Sequence, residues 1–328
     1  MDKKPNIDFE EAKLALRKKD FSTAIAGIRA HAERGDIRAQ ILLGILLEDG
    51  EGVEADIVEA MKWYRKAAEQ GNARAQSRLA QAFMNGDGLA QDYGEAMHWA
   101  KDAAVQHEKS ALAQIGLMHE RGYGVARSNL EAAKYYRLAA IGGGRFAQIK
   151  LWQFYWSGKG VPRNRKKSMK FVEMAALGGD FEAQRFLGFL ELDSGILGAP
   201  PNRKRATKWL NMAAEQGDFV AQATLAGKYI DAPNGQKNYV LAYKWVRLAL
   251  ALWDDTWVEC REYAFKDLDW LRQNMSLKKI EVAERLISAW VQKRLGDELS
   301  GTTSDRGSPE CSGQPNRRFG IQAERETQ

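Results

Sequence analysis

Two cysteines, seven prolines and four histidines are few for a chain of 328 residues. Cys260 and Cys311 cannot build a disulfide framework, and no Cys-x-x-Cys is present to make a zinc knuckle or a dithiol redox site. Sparse proline permits long helices, because proline breaks helix interiors. No run of 18 apolar residues occurs, so no membrane-spanning helix is expected. Residues 1–20 lack the apolar stretch of a secretory signal, and a soluble protein of a reducing compartment, the cytoplasm, is expected. His31, His98, His107 and His119 follow no metal-ligand spacing. Gly142-Gly143-Gly144 imitates a dinucleotide-binding loop, but a helical pattern precedes it where that loop needs a strand. There is no Gly-x-Ser-x-Gly and no phosphate-binding Gly-x-x-x-x-Gly-Lys-Ser/Thr. No cofactor, no metal and no catalytic constellation are expected, so the chain reads as a protein that is not an enzyme.

What is present is enough apolar residue to fold. The chain is 45% hydrophobic and 28% charged, which excludes a wholly disordered chain. The net charge of +6 is spread unevenly. Residues 1–60 hold 9 Lys/Arg against 13 Asp/Glu, a net of −4, whereas residues 145–210 hold 13 against 5, a net of +8.

A period of 36 residues dominates the chain. Alanine pairs stand at Ala67-Ala68, Ala103-Ala104, Ala139-Ala140 and Ala175-Ala176, and again at Ala213-Ala214 after a slip of two. An aromatic precedes each pair by four residues: Trp63, Trp99, Tyr135, Phe171 and Trp209, continued by Trp245. Gly35, Gly71, Gly143, Gly179 and Gly217 suit the left-handed position after a helix, with His107 the exception. Cap-forming residues Asp20, Asp56, Asp92, Ser128, Asn164, Asn202 and Asn238 open one helix per period. Asp36, Asn72, Asp180 and Asp218 open the other. Glu59, Glu95 and Glu131, three residues after their caps, predict capping boxes. The first helix of each pair closes at a Gly-x-Gly (Gly50/Gly52, Gly86/Gly88, Gly122/Gly124, Gly158/Gly160). A small residue at its middle, Gly44, Ala80, Gly116, Gly188 or Ala226, lets the partner helix approach. Trp152 takes that place in the fourth unit, which must therefore pack differently. Units of this length cannot bury their apolar face alone and must stack.

The stretch Leu43-Gly44, Gly50, Gly52-Val53, Asp56, Ala60, Trp63-Tyr64, Ala67-Ala68, Gly71 resembles the Sel1-like repeat family, a relative of the tetratricopeptide repeats. Five further units match less fully, and the resemblance covers about residues 20–253. It implies an all-α fold: a right-handed α-solenoid of about six helix pairs with helical caps. It also implies a non-enzymatic scaffold or adaptor of the bacterial type, binding a protein or peptide segment in a concave groove. Exported relatives carry paired cysteines, and this chain has none. The organisation predicted is capping helices over 1–34, repeats over 35–253, capping helices over 254–298 with the last ending at Gly296, and a disordered tail over 299–328. The irregular loops are Leu192–Pro201 and Asp231–Lys237.

Two surfaces follow. By resemblance the first helix of each pair lines the groove. Its stripe outside the motif reads Arg74, Arg78, Gln81 and Asn85, then Ser110, Gln114, Leu117 and Arg121, then Phe146, Lys150, Gln153 and Ser157, exposed residues open to a partner. The second surface is basic. From Arg145 to Val172 there are eight basic residues and no acid. Arg163, Arg165, Lys166 and Lys167 should lie beside Arg203, Lys204 and Arg205 of the next unit. Cations at helix starts oppose the macrodipole, and an acidic partner would relieve them. Nucleic acid or another anionic surface is the alternative partner, and it ranks behind a protein. Trp152 and Trp156 read as packing residues first and as a stacking surface second.

Overall fold

The computed structural model describes residues 7–192, 201–233, 237–252 and 258–299. Among the described residues there are sixteen helices and no strand. They form two compact units that divide between Trp209 and Leu210.

The first unit opens with α1 (Phe9–Arg17) and α2 (Phe21–Glu33). Helix pairs follow: α3 (Ile37–Asp49) with α4 (Ile57–Glu69), α5 (Ala73–Asn85) with α6 (Tyr93–Val105), α7 (Lys109–Arg121) with α8 (Asn129–Ile141), and α9 (Arg145–Ser157) with α10 (Arg165–Leu177). Then come α11 (Phe181–Leu192) and α12 (Arg203–Glu215), the latter crossing the division. All eleven predicted caps accept a backbone N–H, as Asp36 does from Arg38 and Ala39 and Asn164 from Lys167. The capping boxes form only by half. The cap's own N–H is already bound: Asp56, Asp92 and Ser128 donate to Leu47, Phe83 and His119 carbonyls on the preceding helix. Glu59 instead takes Arg29 Nη1 at 2.6 Å and Trp63 Nε1 at 3.2 Å. His107 adopts φ 59°, the left-handed conformation of the glycines it replaces.

The second glycine of each doublet is where one pair meets the pair before it. A Cβ on Gly88 would stand 2.9 Å from the Ile57 carbonyl oxygen, and one on Gly124 2.6 Å from Tyr93 Cβ. Gly52 and Gly160 press in the same way on Phe21 and Asn129. Those four residues are the first of α2, α4, α6 and α8, so equal loops stack on equal helix starts along one edge.

The mid-helix position is filled in more than one way. A Cβ on Gly44 or Gly116 would meet the ring of Tyr64 or Tyr136 at 2.9 and 2.7 Å. Ala80 and Ala100 share the slot in the second pair. In the fourth, Trp152 stands at the phase of those glycines and Val172, fully buried, at the phase of the tyrosines. Ser168, where the other pairs of this unit have alanine, donates to the Trp152 carbonyl at 3.0 Å. The fourth pair thus carries a large residue at the phase of the small ones and a small one at the phase of the tyrosines, and its Trp152 ring packs on Phe186 of α11.

The second unit comprises the end of α12, α13 (Phe219–Ile230), α14 (Tyr239–Leu252), α15 (Val258–Asn274) and α16 (Leu277–Leu299). Glu284 of α16 accepts from Tyr243 at 3.1 Å and pairs with Arg247 at 3.6 Å on α14. Arg294 donates to the Gln216 carbonyl at 2.7 Å. The expected stop at Gly296 is wrong, since α16 continues to Leu299. A glycine lowers helix propensity by about 1 kcal/mol, which contacts earlier in a long helix override. The predicted tail, Cys311 and most of the loop Leu192–Pro201 lie outside the described residues, as do Trp253 and Trp257.

Candidate interaction surfaces

The polar stripe predicted on the first helices runs over the seam between consecutive pairs, and half of it is already engaged. Arg78 grips Glu48 of the preceding pair through both carboxylate oxygens, with Nε at 3.2 Å, and its Nη1 reaches Gln81 Oε1 at 2.8 Å. Gln114 donates to the Ser77 carbonyl at 3.0 Å. Lys150 pairs with Glu120 at 3.2 Å. Arg78, Gln114 and Lys150 stand 36 residues apart, so the stripe supplies one rung per interface. The expectation that these three and Gln81 are exposed is therefore corrected: the three are half-buried fasteners between repeats, and Gln81, bound by Arg78, is half-buried beside them. Arg74, Arg121 and Gln153 are exposed.

The Glu120 site is the most buried charge cluster in the first unit. Its side chain is 7% exposed and contacts Lys150 at 3.2 Å, Lys159 at 2.7 Å and the Tyr136 hydroxyl at 2.7 Å. Burial alone would raise its pKa. Lys150, the Lys159 hydrogen bond and the Tyr136 hydrogen bond outweigh burial and hold it down to about 2. Burial, and then the Glu120 charge, push the Tyr136 hydroxyl far up. Tyr64 with Glu48 repeats the arrangement 72 residues earlier, and burial likewise raises its hydroxyl. The cluster ties α7, α8, α9 and the loop after α9 together.

Gln40, Gln76, Gln148, Gln184 and Gln222 make a further series that sequence reasoning passed over. Each is buried and donates its amide to an alanine carbonyl eight residues back, as Gln40 does to Ala32 at 3.1 Å. Their equal phase was visible in the sequence. Leu112 breaks the series in the third pair.

The basic residues are exposed. Arg163, Arg165, Lys166 and Lys167 lie at and just before the start of α10, and Arg203, Lys204 and Arg205 open α12. Arg205 reaches Glu173, in the later half of α10, at 3.8 Å and Glu191 of α11 at 3.1 Å. Trp152 is buried against Phe186 at 4.7 Å and Trp156 meets the same ring edge-on at 5.3 Å, which makes both packing residues. His119 stacks on Tyr135, and His31 Nε2 lies 3.0 Å from the Ile7 carbonyl oxygen. Among the described residues no group of three His, Cys, Asp or Glu could hold a metal. Among them, too, no helix is long and apolar enough to cross a membrane.

Stacked helical pairs with polar rungs across three seams and equal loops on one edge define a helical-repeat protein. The Sel1 repeat matches residues 37–72, 73–104, 109–144, 146–180, 181–218 and 225–252, more than half of the chain, and the protein belongs to the Sel1 repeat family. A Sel1 repeat protein from Oxalobacter formigenes is similar at 28% identity and a TM-score of 0.66, over 74% of this chain and 98% of that one. A protective antigen of uropathogenic Escherichia coli with an SLR fold matches at 21% identity and a TM-score of 0.46, over 92% and 88%. An immunity protein of Pseudomonas aeruginosa matches at 16% and 0.42, over 72% and 82%. No curated protein matches the chain. Sel1 repeat proteins generally mediate protein–protein interaction and are generally not enzymes.

Proposed function

We propose that this protein is an adaptor that holds a segment of a partner protein on the face formed by the first helices of its repeats. The observation that carries the reading is the bonded seam. Arg78, Gln114 and Lys150 lock consecutive first helices together, and the exposed Arg74, Arg121 and Gln153 stand beside the rungs. Side chains on a face already locked lose little more freedom on binding, which favours affinity. Two of the three exposed residues are arginines, so an acidic segment suits the face. The scarcity of cysteine supports a cytoplasmic site of action.

The test separates binding from folding. Replacing Arg74, Arg121 and Gln153 by Ala should leave the melting temperature within a few degrees, since exposed substitutions shift stability by under ~0.5 kcal/mol each. The partner recovered by pull-down with the intact chain should be lost. Full retention of that partner would sink the reading. The substitution of Arg78, Gln114 and Lys150 is no such probe, because it loosens three seams at once.

A further inference from the structure

Four Gly-x-Gly loops stack along one edge of the first unit, and their charge reverses sign from the first to the fourth, although the preceding turn between α1 and α2 exposes Arg17, Lys18 and Lys19. The loop between α3 and α4 exposes Asp49, Glu51 and Glu54, and no Lys or Arg occurs between Arg38 and Lys62. The next loop exposes Asp87, and again no Lys or Arg occurs between Arg78 and Lys101. The third loop, between α7 and α8, exposes Arg121 and Arg127. The fourth leads through exposed Arg163 to Lys166, in a stretch without any acid. Lys204 at the start of α12, at the phase of Lys166, is exposed. The stacking contacts of Gly52, Gly88, Gly124 and Gly160 place these loops in order on one edge.

We propose that this edge docks a second copy of the chain, antiparallel about a two-fold axis between the second and third loops. The acidic first loop of one copy then faces the basic fourth loop of the other, and the second faces the third, twice over. A two-fold interface must be self-complementary, with each patch meeting its opposite in the copy. A sign change centred on the edge meets that condition. Loop spacing matches without adjustment, because both copies carry the same repeat. A foreign polyanion such as nucleic acid gains only the basic half and is repelled by the acidic half. Like charges crowded along one edge repel within a screening length of about 8 Å at physiological salt, and pairing removes that repulsion in both copies.

Sedimentation of the full chain tests this. The chain should dimerise at low salt, with Kd rising at least ~10-fold between about 50 and 500 mM salt as screening takes hold. One variant carries Asp49→Lys, Glu51→Lys and Glu54→Lys; the other carries Arg163→Glu, Lys166→Glu and Lys204→Glu. Each alone should be monomeric while keeping the helical circular dichroism of the parent. Mixed in equal amounts, or combined in one chain, the two reversals should restore the dimer. A parent that stays monomeric at low salt overturns the proposal. So does association that only the basic-side variant abolishes, with nucleic acid co-purifying, or growth into open filaments.

Discussion

The first and third helix pairs solve their packing in one way, the fourth in another. In the first and third, a mid-helix glycine admits a tyrosine ring, and the tyrosine hydroxyl bonds a glutamate that a cation of the next pair also grips. Gly44, Tyr64, Glu48 and Arg78 do this once; Gly116, Tyr136, Glu120 and Lys150 do it again 72 residues later. In the fourth pair Trp152 and Val172, both buried, stand at those two phases and Trp156 stands where the glutamate of the other pairs does. All three pairs close their first helix on a left-handed glycine, while the cap that opens it differs: Asp36, Glu108 and Gly144. The repeat therefore tolerates different pairs of residues at these two phases: glycine with tyrosine, alanine with alanine in the second pair, and tryptophan with valine. The two locks also differ. The Glu120 side chain is 7% exposed, whereas Glu48 is 19% exposed and its Arg78 partner 39%. The third pair's lock should be the stronger, because a charge left alone is costlier the deeper it lies.

The comparison can be broken at its largest contact first. Trp152→Gly should destabilise by about 4–6 kcal/mol, combining loss of a buried large aromatic with a helix-interior glycine. Adding Val172→Tyr should return a substantial part of that loss, because it recreates the glycine–tyrosine solution. Denaturant melts of the two singles and the double give the coupling. Strictly additive losses would mean that the exchange of volumes is not what holds the pair. Glu120→Ala comes next, at about 3–5 kcal/mol, since it strands Lys150 and Lys159. Glu48→Ala should cost about 1–2 kcal/mol, its partner being partly solvated. Equal losses at the two sites would erase the distinction drawn between the locks.

A further effect appears in acid. A carboxylate whose folded pKa lies below its unfolded value stabilises the fold above the unfolded pKa and loses that contribution as pH falls. For Glu120 the window runs from the ordinary 4.5 down to about 2. The parent should lose about 2–3 kcal/mol across it from this group alone. Glu120→Gln should be less stable at pH 7 and should lose less on acidification. Parallel pH profiles for parent and variant would show that the cluster stays protonated or is open to water.

The sequence by itself determined the helices, their caps, their left-handed exits and the family. Those features are local: a cap residue bonds an N–H two or three positions on, and a glycine after a helix relaxes one φ. Each repeats at a period that can be counted without knowing what packs on what. The exposure of the basic residues at the starts of α10 and α12 was legible for the same reason, since positions at a helix start face away from the apolar stripe. Tertiary structure alone decided whether a polar side chain at a given phase is free or bound. Arg78, Gln114 and Lys150 have the composition of a reading surface, yet each has a partner 30 to 37 residues away. Burial across a seam depends on two side chains at once, and periodicity reports one position at a time. The half-formed capping boxes show the same limit: the glutamates were in place, but the N–H they would have taken was already donated to the neighbouring helix.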